Sequence, residues 1–78
     1  MIWNVKKNKE TEQLILIAYS KDSSFDGIIE FYKPSEEFKI ITKANDCDEF
    51  DSKRLFQFLY ALIKQNTLSF EPYSIRIG

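Results

Sequence analysis

Residues 51–66, DSKRLFQFLYALIKQN, decide the fold, because Leu55, Phe56, Phe58, Leu59, Leu62 and Ile63 fall on one broad arc at about 100° per residue. That spacing predicts an amphipathic helix of roughly four turns, with Lys53, Gln57, Tyr60 and Lys64 on or near the watered side. Asp51 is placed to cap the first free N–H groups, and Phe50 to staple onto Leu55; Asp48 offers an alternative, earlier start. Asn66 is suited to a left-handed stop, and the helical period is lost in the TLSF that follows. The gain from burying six such side chains is similar to the entropy cost of ordering their backbone, so the helix needs a surface to lie on.

The rest of the chain reads as that surface. Residues 1–7 alternate Trp3 and Val5 with Asn4 and Lys6, the period of a half-buried strand, and NKET (8–11) follows as a turn. QLILIAYS (13–20) is apolar on both sides, as in a central strand. With the loop at 8–11, cross-strand partners sum to 19, which sets Trp3 opposite Leu16, Val5 opposite Leu14 and Lys7 opposite Glu12.

KDSSFDG (21–27) is rich in turn formers and ends in the residue best able to take a positive φ. Residues 28–32 and 37–43 form a hairpin around Lys33-Pro34-Ser35-Glu36, where proline excludes a primed two-residue turn. Partners summing to 69 then oppose Phe31 to Phe38, Ile29 to Ile40, Ile28 to Ile41, and Glu30 to Lys39, so that hydrophobicity and charge favour one register. ANDCDEF (44–50) is an acidic connection into the helix. After Pro72, Tyr73, Ile75 and Ile77 alternate with Ser74 and Arg76 as a short last strand. The expected architecture is α+β: one domain spanning 1–78, a four- to five-stranded mainly antiparallel sheet in the order ββββαβ, with one helix on one face.

Carried across the sheet, these registers put Trp3, Val5, Leu14, Leu16, Ala18, Ile29, Phe31, Phe38 and Ile40 on an uncharged face. The other face holds Ile2, Ile15, Ile17, Tyr19, Ile28, Tyr32 and Ile41 inside a border of Lys6, Glu30, Lys39 and Lys43. Desolvating lysines is costly, so the helix is expected on the first face and water on the second. An apolar centre with a charged rim is the pattern of an interface. Ile17, Tyr19, Tyr32, Lys39, Ile41 and Lys43 are therefore the candidate protein-binding residues, the occupant being a partner protein or a second copy. Cover by the chain's own 21–27 loop, by its C-terminal segment or by a self-dimer is the bland alternative.

Composition narrows the chemistry. There is no histidine, the usual general base and metal ligand. The single cysteine, Cys47, sits between Asp46 and Asp48, whose charge opposes thiolate formation, and it has no internal disulfide partner. Asp46, Asp48, Glu49 and Asp51 lack the glycine and distal glutamate of a calcium loop and read as acids at a helix start. With only Gly27 and Gly78, no glycine-rich phosphate loop can be drawn. The expectation is a protein with no catalytic site, metal or cofactor.

No apolar run approaches the roughly 20 residues of a membrane span, and the first ten residues lack the order of a signal peptide, so the expected location is the cytoplasm. The usage of Lys, Ile, Asn and Phe is that favoured by A+T-rich coding, which suggests a bacterial or phage source. A net charge of −1 and two arginines weigh against nucleic acid. It stays as the alternative partner, with Tyr19 and Tyr32 as stacking rings and Lys6, Lys39 and Lys43 as a basic border. A homodimeric structural protein is the other alternative. The leading expectation is a small inhibitor, immunity protein or regulatory accessory factor acting through the open sheet face.

Overall fold

A computed structural model describes residues 2–76. Five strands, β1 (Ile2–Glu10), β2 (Leu14–Ser20), β3 (Gly27–Tyr32), β4 (Glu37–Thr42) and β5 (Tyr73–Arg76), and one helix, α1 (Glu49–Lys64), follow one another as ββββαβ. The sheet runs β4-β3-β2-β1-β5 with every neighbouring pair antiparallel. The helix lies on one face. β5, whose position the alternation alone left open, pairs with β1, setting Trp3 opposite Ile75 and Val5 opposite Tyr73. Ile77, expected in the same strand, and Met1, expected in β1, lie outside the described residues.

The helix buries the expected arc: Leu55, Leu59 and Leu62 are buried, and Phe56, Phe58 and Ile63 pack half-buried against the core. Phe56 stacks on Phe38 of β4 at 5.0 Å between ring centroids, while Phe58 approaches Trp3 of β1 at 6.2 Å, so the two rings splay the helix's grip across the sheet. The cap is Asp48, whose carboxylate accepts from the Asp51 N–H at 2.7 Å. Phe50 is 70% exposed and staples nothing, which corrects the start expected at Asp51. At the other end Asn66 takes φ 56°, and the Thr67 and Asn66 N–H groups return to the Leu62 and Ile63 carbonyls, closing a Schellman motif.

The β3–β4 hairpin keeps the register summing to 69 from Ile29/Ile40 to Tyr32/Glu37. Beyond it the register shifts and Ile28 pairs with Thr42, leaving Ile41 as an extra residue on the edge strand.

The β1–β2 hairpin differs from expectation. β1 continues through the polar residues to Glu10, and the turn is tightened at Thr11, whose hydroxyl accepts from the Gln13 and Leu14 N–H groups. Partners sum to 24 for Asn4/Ser20 through Lys7/Ile17, then to 25 for Lys9/Leu16 and Glu10/Ile15, with Asn8 extra. The displacement from the register summing to 19 is five for the first four pairs, an odd number, and the extra Asn8 absorbs the sixth step in the last two, so every β2 side chain changes face. Ile15, Ile17 and Tyr19 go under the helix, and Leu14, Leu16 and Ala18 turn to the other side.

Tyr19 explains what holds this register. Its ring is fully buried and lies against Gly27, its partner in β3. A Cβ at Gly27 would stand 2.4 Å from the Tyr19 ring and 2.8 Å from the Ala44 Cβ. Gly27 is needed for this close approach; its φ is negative, and Phe25 instead takes φ 53° in the loop. The Tyr19 hydroxyl accepts from the Ala44 N–H at 3.1 Å and sits 2.7 Å from Ser52 Oγ on the helix. Ser52 donates to the Asp48 carbonyl at 2.9 Å, so the proton between the two hydroxyls comes from Tyr19. This satisfied chain ties β2, the β4–α1 connection and the first turn of α1 together.

Candidate functional site

The sheet face away from the helix is assembled from alternating residues of four strands. Leu14, Tyr32 and Glu37 form one row; Leu16, Glu30 and Lys39 form the next; Lys6, Ala18, Ile28 and Thr42 follow. Tyr32 is 41% and Ile41 49% exposed, while Leu14, Leu16 and Ile28 are half-buried. Glu30 and Lys39 stand opposite one another near the middle, giving an apolar field crossed by one pair of opposite charges.

Of the six residues expected here, Tyr32 and Lys39 lie on this face by register, and Ile41 is exposed beside them as the extra residue opposite Ile28. Ile17 and Tyr19 do not: both are fully buried beneath α1. The physical reason is the register displacement, which exchanges them for Leu14, Leu16 and Ala18. Lys43 is exposed, but its ammonium donates to the Cys47 carbonyl at 2.9 Å, which draws it toward the β4–α1 connection. Leu14 and Leu16 are the residues that sequence reasoning missed. The threonine at the turn was the available signal, since its hydroxyl can organise a tighter connection than a loop at 8–11.

Part of the face is covered by the chain itself. Asn4 donates to the Lys21 and Asp22 carbonyls at 3.2 and 2.7 Å, and Ser20 Oγ donates to the Asp22 carbonyl while accepting from the Phe25 N–H. These bonds curl residues 21–26 over the end of the face, where Phe25 meets the Lys6 ammonium at 4.7 Å from the ring centroid. Ala18 and Ser20 are buried as a result. The uncovered field is the half built from Leu14, Leu16, Ile28, Tyr32 and Ile41.

The acidic connection acts as a clasp on the other side of that loop. Asp46 accepts from the Lys21 and Asp22 N–H groups at 2.8 to 3.1 Å, and Asp51 pairs with the Lys21 ammonium at 2.7 Å. Cys47 is buried, and burial first, then the Asp46 carboxylate, push its thiol up to about 11, with the Trp3 indole N–H pulling the other way. A thiol so placed is protonated at neutral pH and a poor nucleophile. Among the described residues no group of three His, Cys, Asp or Glu side chains converges as a metal site. No described helix is long and apolar enough to cross a membrane.

In comparison with known proteins, no family model, curated protein or solved structure matches the chain.

Proposed function

We propose that the protein is a non-catalytic binding module whose open sheet face docks on a partner protein, in the manner of an inhibitor, immunity protein or regulatory accessory factor. The observation carrying this reading is the uncovered field of Leu14, Leu16, Ile28, Tyr32 and Ile41, crossed near its middle by Glu30 and Lys39. The apolar side chains on either side of the pair supply association energy when water is expelled, and the charged pair sets orientation. Nucleic acid is less favoured, because with Tyr19 under the helix only Tyr32 of the two proposed stacking rings remains.

Ile41→Asp tests the proposal, since Ile41 is outside the core and its loss should leave the urea midpoint nearly unchanged. Wild-type protein immobilised in a lysate of its native host is expected to retain a stoichiometric protein that Ile41→Asp does not. Retention of the same protein by both variants would overturn the reading. Self-association has one observation in its favour: the Glu30/Lys39 pair is self-complementary about a twofold axis. Sedimentation equilibrium decides it, a concentration-dependent dimer dissociated by Ile41→Asp replacing the hetero-partner reading.

A further inference from the structure

We infer that a cleft on the helix side, where the end of α1 meets the tips of both hairpins, binds a small monoanionic molecule with an apolar body, such as an aryl or alkyl carboxylic acid. The cleft has a volume of about 370 Å³. That lies at the small end of the roughly 300 to 1000 Å³ typical of ligand pockets, a size for a small molecule and not for a partner's helix. Its floor is apolar, made by Ile15, Phe31, Ile63 and Leu68.

The rim carries three ammonium groups against two carboxylates. Glu10 gives one oxygen to Lys7 at 2.5 Å and the other to Lys33 at 2.7 Å, while Glu36 pairs with Lys64. Hydrogen bonding to Lys33 and then Lys7 holds the Glu10 carboxyl below its ordinary value, and Lys64 does the same for Glu36, so both stay ionised near neutrality. One positive charge is left over. Lys7 and Lys64 each use one of three ammonium protons on a carboxylate, and each also leans on an aromatic ring, Lys7 at 5.5 Å from the Phe70 centroid and Lys64 at 5.2 Å from the Tyr60 centroid, which leaves each with a proton that no other carboxylate or carbonyl among the described residues accepts. At the helix end the Leu62 and Ile63 carbonyls already accept from the Thr67 and Asn66 N–H groups. Surplus donors and one surplus charge above an apolar floor recognise one carboxylate on an apolar tail. This cleft lies on the opposite side of the sheet from the open face, so its failure leaves the proposed function untouched.

The test is an NMR titration of the full chain with 3-phenylpropionate, and with 3-phenylpropanol as a neutral control of the same shape. Saturable shifts are expected at the methyls of Ile15, Ile63 and Leu68, with the acid binding about three- to tenfold more tightly than the alcohol. Glu10→Gln releases Lys7 and Lys33 from their shared carboxylate and should tighten the acid by about three- to tenfold without changing the alcohol, an effect opposite in sign to structural damage. Lys64→Met should weaken the acid toward the alcohol. Equal affinity for acid and alcohol, weaker acid binding in Glu10→Gln, shifts confined to Leu16 and Ile28 on the open face, or no saturation at millimolar ligand would each overturn the inference.

Discussion

A double-mutant cycle between Tyr19 and Ser52 probes the element on which the sheet register turns. Tyr19→Phe keeps the ring against Gly27 and removes only the hydroxyl, which leaves the buried Ala44 N–H without its acceptor. Orphaning a buried N–H costs about 1 to 3 kcal/mol, and losing the Tyr19–Ser52 bond about 0.5 to 1.5 more. Ser52→Ala leaves the Tyr19 proton without an acceptor, at about 1 to 3 kcal/mol, while the Asp48 carbonyl keeps the Ser52 N–H at 3.0 Å. In the double variant neither hydroxyl orphans the other, so the two single costs should exceed the double cost by on the order of 1 kcal/mol. Urea unfolding followed by the fluorescence of the single tryptophan, the buried Trp3, reads all four proteins. In thermal unfolding each kcal/mol corresponds to about 4 to 8 °C for a chain of this size. A Tyr19→Phe midpoint equal to wild type, the behaviour of a tyrosine on the open face, would refute the burial, the register and the composition of the candidate site together.

Gly27→Ala should destabilise by about 1 to 3 kcal/mol, because the new Cβ meets a Tyr19 ring that its hydroxyl partners hold in place; a neutral effect in urea melts would mean the ring can withdraw. Cys47 should react with iodoacetamide slowly in the native protein at pH 8 and at the rate of a free thiol in urea, since its thiol is buried and pushed up to about 11; equal rates would contradict its burial. Burial works to raise the Asp46 pKa, but the Lys21 and Asp22 N–H groups outweigh it and hold the carboxyl below its ordinary value. With the folded value below the unfolded one, the clasp's stability is present above the unfolded carboxylate pKa near 4 and is lost as pH falls through the folded value. Urea midpoints measured between about pH 5 and 2 should therefore fall less steeply for Asp46→Asn than for wild type; parallel curves would show that Asp46 does not contribute to the acid limb.

What the sequence determined by itself is what rests on local pattern: a helix whose arc repeats every three to four residues, its stop at Asn66, and a hairpin in which Phe31/Phe38 and Glu30/Lys39 agree on one register. In each case a neighbouring residue supplies a second constraint, so the wrong alternative costs something locally. Tertiary structure alone decided the face of β2. LILIAYS is apolar on both sides, so exchanging its faces barely changes the hydrophobic pattern, and the choice falls to long-range contacts. Thr11 tightens the turn, Gly27 makes room for one aromatic ring, and Ser52, polar in an otherwise apolar helix face, waits 33 residues away for the Tyr19 hydroxyl. None of those partners is adjacent in the chain, and each narrows the choice only once the others are in place. The candidate site inherits this division. Tyr32, Lys39 and Ile41 belong to the hairpin that local pairing specified, whereas Leu14 and Leu16 replaced Ile17 and Tyr19 through the β2 register, in which the Tyr19 hydroxyl can be buried because Ala44 and Ser52 satisfy it.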